Sequence, residues 1–383
     1  MNSSLKAPLG FDVPIYVSRP VLPPLADYVH SLEKIWQSEF LTNGATQHQA
    51  LELALSNYLQ APHISLFNNG TLALLVACQA LKVKGEVVTT PFTFAATPHV
   101  LVWNQVTPVF ADIDPETLCI DPNCIEDNLN QETSAILGVH VYGMPCDVHA
   151  IQTLAQAHQL KVIYDGAHAF GSELDGKPIV QFGDATMLSF HATKLFHSAE
   201  GGALCVANAD LKKQVDLLKN FGIKNEEEVL LPGINGKMNE LQAALGLLVL
   251  GHVDSEKQKR QALRSIYEER LNKLAGVQIL KAPNNASDSQ QYLIAIINEA
   301  QSGCSRDALH VRLKKFNIIS RKYFYPLCSS FDCYKHLPSA HPSRLPNAHR
   351  FASQVLSLPI YGKLTADDIH HICDAIAYCL LTA

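Results

Sequence analysis

The chain has 383 residues, 47% of them hydrophobic and 17% charged, a balance that fills a sizeable core and excludes disorder as the main state. Thirty lysines and arginines face 36 acidic residues, a net charge of -6, and no basic cluster offers a surface for nucleic acid. No run approaches the roughly 20 apolar residues of a membrane span, and the opening MNSSLKAPLGFDVP has no signal-peptide core, so a cytoplasmic protein with no membrane partner is expected.

At ~150 residues per domain the length predicts two to three domains. A proline-rich entry (VPIYVSRPVLPPLADYV) leads into a helix over 27–37, the turn LTNGAT and a second helix over about 48–59; residues 1–45 read as an N-terminal arm. From Ile64 short apolar runs alternate with helical ones: HISLF, a helix over 71–82, EVVTT, a helix over 96–104, PVFADI, SAILGVHVY, a helix over 148–158, KVIYD, ATMLSF and GALCVA. Such alternation predicts an α/β fold, a mixed, mostly parallel sheet sandwiched by helices. Its ligands belong beyond the carboxyl ends of the strands.

The helix opening near Met238 (MNELQAALGLLVLGHV) is apolar on most sides, whereas DSEKQKRQALRSIYEERLNKL after it reads as a long solvated helix. Residues 46–253 therefore form the expected large domain, and 254–383 a linking helix with a smaller C-terminal α+β domain. The latter holds a strand (QQYLIAII), a helix (SRDALHVRLKKF), an aromatic loop (SRKYFYPLCSSFDCY) and a final helix capped by Thr365. Ten cysteines are scattered without a CxxC pair, which reads as reduced core thiols and not as disulfides, zinc or an iron-sulfur cluster.

Four features at strand ends carry chemistry, and each has a plainer alternative. In FNNGTLALLVACQAL the turn at Gly70 and Thr71 opens a helix, either an anion site suited to phosphate or an ordinary turn and cap. In KVIYDGAHAFGS the strand ends on Asp165, a buried carboxylate that requires a cation or strong donor, or else a helix cap; His168 follows it. In ATMLSFHATKLFHSAEGGALCVA, Ser189 ends a strand and Lys194 lies in the connection, either desolvated into a nucleophilic amine or simply a surface charge. His191 and His197 there lack a third ligand for a metal. In TTPFTFAATPHVL, Phe92 and Phe94 point to one side if the backbone is extended, so that one covers a flat ring or both pack in the core.

Taken together the four describe a pyridoxal phosphate site: a phosphate turn, an aromatic cover, a carboxylate for the ring nitrogen and, 29 positions later, a lysine for the aldehyde. A nicotinamide-binding reading fails because no GxGxxG follows the first strand.

The motifs FNNGTLAL, PFTFAATPHVL, YDGAHAFG, SFHATKLFHSAEGGAL and NGKMNELQAALG resemble those of the DegT/DnrJ/EryC1/StrS family, fold-type I sugar aminotransferases that use pyridoxal 5'-phosphate. The likeness runs from about Ile15 to the C-terminus. It implies Lys194 as the catalytic amine, Asp165 on the pyridine nitrogen, His168 near the phenolic oxygen, Phe94 stacked on the ring, and Gly70, Thr71 and Ser189 on the phosphate. It also implies a homodimer with shared active sites, in which Asn235 reaches the partner's phosphate. Dehydratases of the family carry histidine in place of the lysine; this chain keeps Lys194.

Within the family, IYVSRPVLPPL, LTNGATQHQALE, RKYFYPL and VLSLPIYGKL look most like the VioA-like enzymes that make dTDP-4-amino-4,6-dideoxyglucose. The implied reaction moves the amino group of L-glutamate to a dTDP-4-keto-6-deoxy-hexose, in polysaccharide or O-antigen sugar synthesis. Arg321 and Tyr323 in the aromatic loop are candidates for the nucleotide sugar. A 3-keto acceptor and a non-catalytic cofactor-binding regulator are the alternatives. Departures from the family pattern are Gly166 and the run His197-Ser198-Ala199.

Overall fold

The computed structural model describes residues 7–382, so residues 1–6 of the expected arm and Ala383 lie outside it. The alternating segment yields strands β1 (Ile64–Phe67), β2 (Glu86–Thr89), β3 (Thr107–Phe110), β4 (Thr133–Val139), β5 (Lys161–Asp165), the short hairpin β6 (Glu173–Leu174) and β7 (Lys177–Pro178), β8 (Ala185–Ser189) and β9 (Gly202–Val206). All but the hairpin join one seven-stranded sheet, in the order β1-β9-β8-β5-β4-β2-β3. Only β9 runs against its neighbours β1 and β8; the other pairs are parallel. This is the expected α/β class.

The strands read as continuous apolar runs because both faces are covered. Alternate side chains feed two cores. Leu137, Ile163, Met187 and Leu204 pack under helix Gly70–Ala80 with Leu74 and Ala77. Ile136, Val162, Leu188 and Ala203 face the opposite layer, with Leu51, Leu55 and Ile151.

Helix starts follow short polar caps. The Asn69 carboxamide accepts from Leu72 N at 2.9 Å, so the helix after β1 begins at Gly70 with Asn69, not Thr71, as its cap. Helix Glu240–Leu250 opens with a capping box of Asn239 and Gln242. Helix Thr46–Tyr58 has no cap of its own; Glu240 supplies one, accepting from Gln47 N (2.6 Å) and His48 N (3.0 Å).

Helix Val253–Leu271 leads to a second sheet, antiparallel, of β10 (Val277–Ile279), β12 (Leu293–Ile297) and β13 (Val355–Leu358), in the order β10-β12-β13. It packs with helices Arg306–Leu313 and Ala366–Leu381 around a core of Leu293, Leu309, Leu356 and Ile372. Strand β11 (Ala286–Ser287) pairs with β6, extending the β6–β7 hairpin to a separate three-stranded sheet. The strand expected over QQYLIAII starts only at Leu293, because Gln290 turns left-handed at φ +56°. Helix Pro346–Gln354 and β13 were not expected. The helix carries no side-chain cap; instead Asp112, just past β3, accepts from Asn347 N and Ala348 N at 2.9 and 2.8 Å.

Candidate active site

Strands β1, β2, β4, β5 and β8 run the same way, so the segments after them meet along one edge of the sheet. The start of helix Gly70–Ala80 lies against the end of β8. A Cβ built on Gly70 would stand 2.8 Å from the Met187 sulfur and 3.3 Å from the Ser189 Cβ, so glycine is what lets the helix N-terminus come this close. Gly202 makes the same concession from β9, where a Cβ would meet Gly70 N at 2.6 Å. The Ser189 hydroxyl and the positive end of the helix thus share one corner.

Asp165 ends β5 in a buried position. Its Oδ2 accepts from Thr97 Oγ1 at 2.7 Å and its Oδ1 from Ala167 N at 3.0 Å. Burial still raises its pKa, with those two hydrogen bonds and the nearby Lys194 working the other way. Two neutral donors leave the carboxylate short of the cation that a buried charge requires.

His168 is buried three residues on. Its Nδ1 accepts from Tyr142 N at 3.3 Å, which leaves the proton on Nε2. Burial, and then Lys194, hold its pKa well below the ordinary 6.5, so the ring is neutral. Its plane lies parallel to Tyr142 and Phe324, with Tyr292 edge-on at 4.9 Å.

Lys194, half-buried in the connection between β8 and β9, is no free surface charge. Burial lowers its pKa from 10.5 to about 8, against the opposing pull of Tyr323 and Asp165. Its Nζ stands 3.5 Å from the Tyr292 hydroxyl.

The aromatic pair does not share a side. The chain bends after β2, with Phe92 N donating to Thr90 Oγ1; Phe92 is fully buried edge-on to Tyr142 and Phe324, whereas Phe94 is 64% exposed. Only Phe94 is free to cover a ligand. Tyr323 belongs to the site: its ring packs 5.4 Å from that of Tyr292, and its hydroxyl accepts from Arg321 Nη1 at 2.8 Å. Arg321 itself is exposed.

Thr71 is exposed in the first helical turn. Asn235 lies beside β1, where Asn68 N donates to Gly236 O, and its exposed carboxamide accepts from Lys237 Nζ at 2.9 Å. His191 and His197 do not converge: His197 Nε2 bonds the Val21 carbonyl at 2.9 Å, while His191 faces Thr193 and Glu200.

Sequence reasoning missed Thr97, Tyr142, Gln291, Tyr292 and Phe324. None sits in a local motif with the residue it serves; Tyr292 is 98 positions from Lys194.

The model of the DegT/DnrJ/EryC1/StrS aminotransferase family matches residues 26–377. The chain belongs to this family. Two relatives, from Shigella dysenteriae and Escherichia coli, each named dTDP-4-amino-4,6-dideoxy-D-glucose transaminase, are 45% and 44% identical to it; the matches cover 95% and 93% of this chain and 98% and 96% of theirs. Among solved structures, DesI in the presence of its TDP-sugar product superposes with a TM-score of 0.93 at 35% identity, over 97% of this chain and 94% of that one. Helicobacter pylori PseC gives 0.89 at 26% identity, over 97% and 100%. The chain is thus an aminotransferase of this family, with the family's sheet and with a desolvated lysine at its mouth.

Proposed function

We propose that the protein binds pyridoxal 5'-phosphate and carries the amino group of L-glutamate to a dTDP-4-keto-6-deoxy-hexose, giving dTDP-4-amino-4,6-dideoxyglucose. The observation that carries this reading is the near full-length likeness to two transaminases named for that sugar, together with a site whose groups suit the cofactor. Asp165, short of a cation, suits a protonated ring nitrogen. The Gly70 cradle, which any Cβ would crowd, suits a phosphate with Thr71 and Ser189 around it. His168 offers an Nε2 proton for a phenolic oxygen, and the exposed Phe94 a ring face.

When bound, the cofactor supplies an electron sink for the carbon that loses its proton. The remaining work falls to this chain. The neutral Lys194 amine would hold the cofactor through its aldehyde, and its Nζ is the base that would take up a proton and return it to another atom within reach. With a pKa near neutrality the same amine serves both directions of proton transfer. Asp165 keeps the ring nitrogen charged, and His168, held neutral, orients by hydrogen bonding. The Tyr292 ring and hydroxyl lie against the Lys194 amine, while Tyr142 and Phe324 stack with His168. Tyr323, packed beside Tyr292, and Arg321, bonded to the Tyr323 hydroxyl, are the proposed readers of the nucleotide sugar, Arg321 offering donors for a diphosphate.

The proposal includes a homodimer with shared sites, Asn235 reaching across to the partner's phosphate, and a cytoplasmic place in the synthesis of a surface polysaccharide such as O-antigen. Support for the dimer comes from apolar side chains exposed on the arm and on the loop before Asn235, among them Trp36, Phe40, Phe221, Val229 and Leu230.

The test is to incubate the loaded protein with L-glutamate and either a 4-keto or a 3-keto dTDP-6-deoxy sugar and to identify the products by mass spectrometry and NMR. The reading predicts an amine at C4 and 2-oxoglutarate in equal amount. An amine at C3 alone, or no amino sugar, contradicts it.

A further inference from the structure

Residues 190–201 join β8 to β9 without helix or strand, so Lys194 has no ladder of backbone bonds to hold it. Lys194 N itself donates to the His191 carbonyl at 2.9 Å, and the remaining groups beside it, the Thr193 carbonyl and Leu195 N, are held by one side chain. The Gln291 carboxamide accepts from Leu195 N through Oε1 and donates to the Thr193 carbonyl through Nε2 at 2.9 Å. It is buried, and it grips the chain on both sides of the lysine. An amide offers a donor and an acceptor on one head without having to change its protonation state.

The segment that carries Gln291 is itself clamped. Arg264, buried on helix Val253–Leu271, donates to Gln290 Oε1 at 2.9 Å and to the Tyr292 carbonyl at 2.6 Å. Arg260 reaches the Gln290 carbonyl, and Ser289 Oγ donates to the His168 carbonyl. The left-handed turn at Gln290 (φ +56°) is unfavourable for a residue with a side chain and persists where surroundings over-determine it. Its effect is to send neighbouring side chains to separate targets: Gln290 to the linking helix, Gln291 to the lysine connection, Tyr292 to Lys194 Nζ.

We propose that Gln291 is a positioning residue for the reaction, fixing the backbone at Lys194 so that Nζ stays within reach of the carbonyl it joins and the proton it moves. This rests on the reading of Lys194 as the working amine. Leu195 and Phe196 also anchor the connection through buried side chains, but they make no directional bond to the two peptide groups beside the lysine. A small misplacement of a reacting group costs up to about 100-fold in rate.

The experiment compares the loaded protein with Gln291→Met, which loses both bonds at similar volume, and Gln291→Glu, which keeps an acceptor for Leu195 N but loses the donor to Thr193. Steady-state rates are measured alongside hydrogen exchange by mass spectrometry. For Gln291→Met the expected result is a fall in kcat of about 10- to 100-fold, with KM for L-glutamate within about threefold and faster exchange confined to peptides spanning residues 190–197. For Gln291→Glu, Leu195 stays protected and kcat is intermediate. A kcat within about twofold of the parent in either variant overturns the proposal, as does faster exchange across the whole chain at an unchanged KM-to-kcat ratio. Failure of the underlying reading is separate: it appears in the unsubstituted protein, as an absorbance band that L-glutamate leaves unchanged.

Discussion

Burial drops the Lys194 amine to about 8, so at pH 7.5 about a quarter of it is uncharged, against roughly one part in a thousand for a solvated lysine. The neutral fraction grows as pH rises through that value. In cofactor-free protein, acylation of Lys194 followed by peptide mapping should therefore climb to a plateau with a midpoint near 8; a midpoint near that of the surface lysines contradicts the desolvation argument. Asp165 invites the opposite substitution. Replacing its buried carboxylate by the neutral amide in Asp165→Asn removes a desolvation cost but also the charge meant for the ring nitrogen. The expected outcome is a thermal midpoint in the cofactor-free protein that is unchanged or higher, with kcat lower by about 100-fold or more; retained kcat contradicts the role. Lys194, Asp165 and His168 were legible because each follows an apolar strand in a local pattern. Thr97 and Tyr292 were not, since a lone threonine or tyrosine says nothing of the group it will meet across the fold. Phe92 and Phe94 were half legible: the pattern found both rings, but the bend after β2, set by the Phe92 N to Thr90 Oγ1 bond, decided which one is exposed.

Strands β1, β2, β4, β5 and β8 were readable as apolar runs between turn residues, and the helices between them ended within a few residues of expectation. The failures lie where an element depends on a distant partner. Helices Thr46–Tyr58 and Pro346–Gln354 lack local caps and borrow carboxylates 192 and 236 positions away, Glu240 and Asp112; no local signal marks such a start. Asp112→Ala removes two charge-assisted bonds to backbone N–H groups and should lower stability by about 1–2 kcal/mol, read as an earlier chemical-denaturation midpoint. An unchanged midpoint would show that the helix start is held otherwise. Gly202 is a stricter constraint, because the atoms a Cβ would meet, Gly70 N and the Asn69 carbonyl carbon at 2.6 and 2.7 Å, are backbone. Gly202→Ala should cost about 1–3 kcal/mol and weaken cofactor binding by pushing the helix N-terminus away from Ser189. Equilibrium dialysis would show the loss, and unaltered affinity would argue against the phosphate corner.

The large sheet and the linking helix bring Lys194, Asp165, His168 and Tyr292 into one chain's site, but Asn235 points outward, which is the arrangement a shared dimer site requires. Two inactive variants, Lys194→Ala and Asn235→Ala, then complement each other: after mixing and reassociation, roughly a quarter of the sites should combine an intact lysine with an intact partner asparagine. Activity of the mixture no greater than that of the parents would contradict sharing. The order of chemistry along the chain was legible, and so was the family; assembly is expected only through resemblance, since exposed apolar side chains have no sequence pattern that separates them from core ones. The central claim, that Lys194 and the groups around it hold a cofactor that passes an amino group to a keto sugar, meets its most direct test in an absorbance spectrum. Purified, loaded protein should show a band near the visible edge that L-glutamate bleaches and dTDP-4-keto-6-deoxyglucose restores, and Lys194→Ala should bind cofactor without turning over. A protein that takes up no pyridoxal phosphate, or a band that glutamate leaves untouched, would contradict the account.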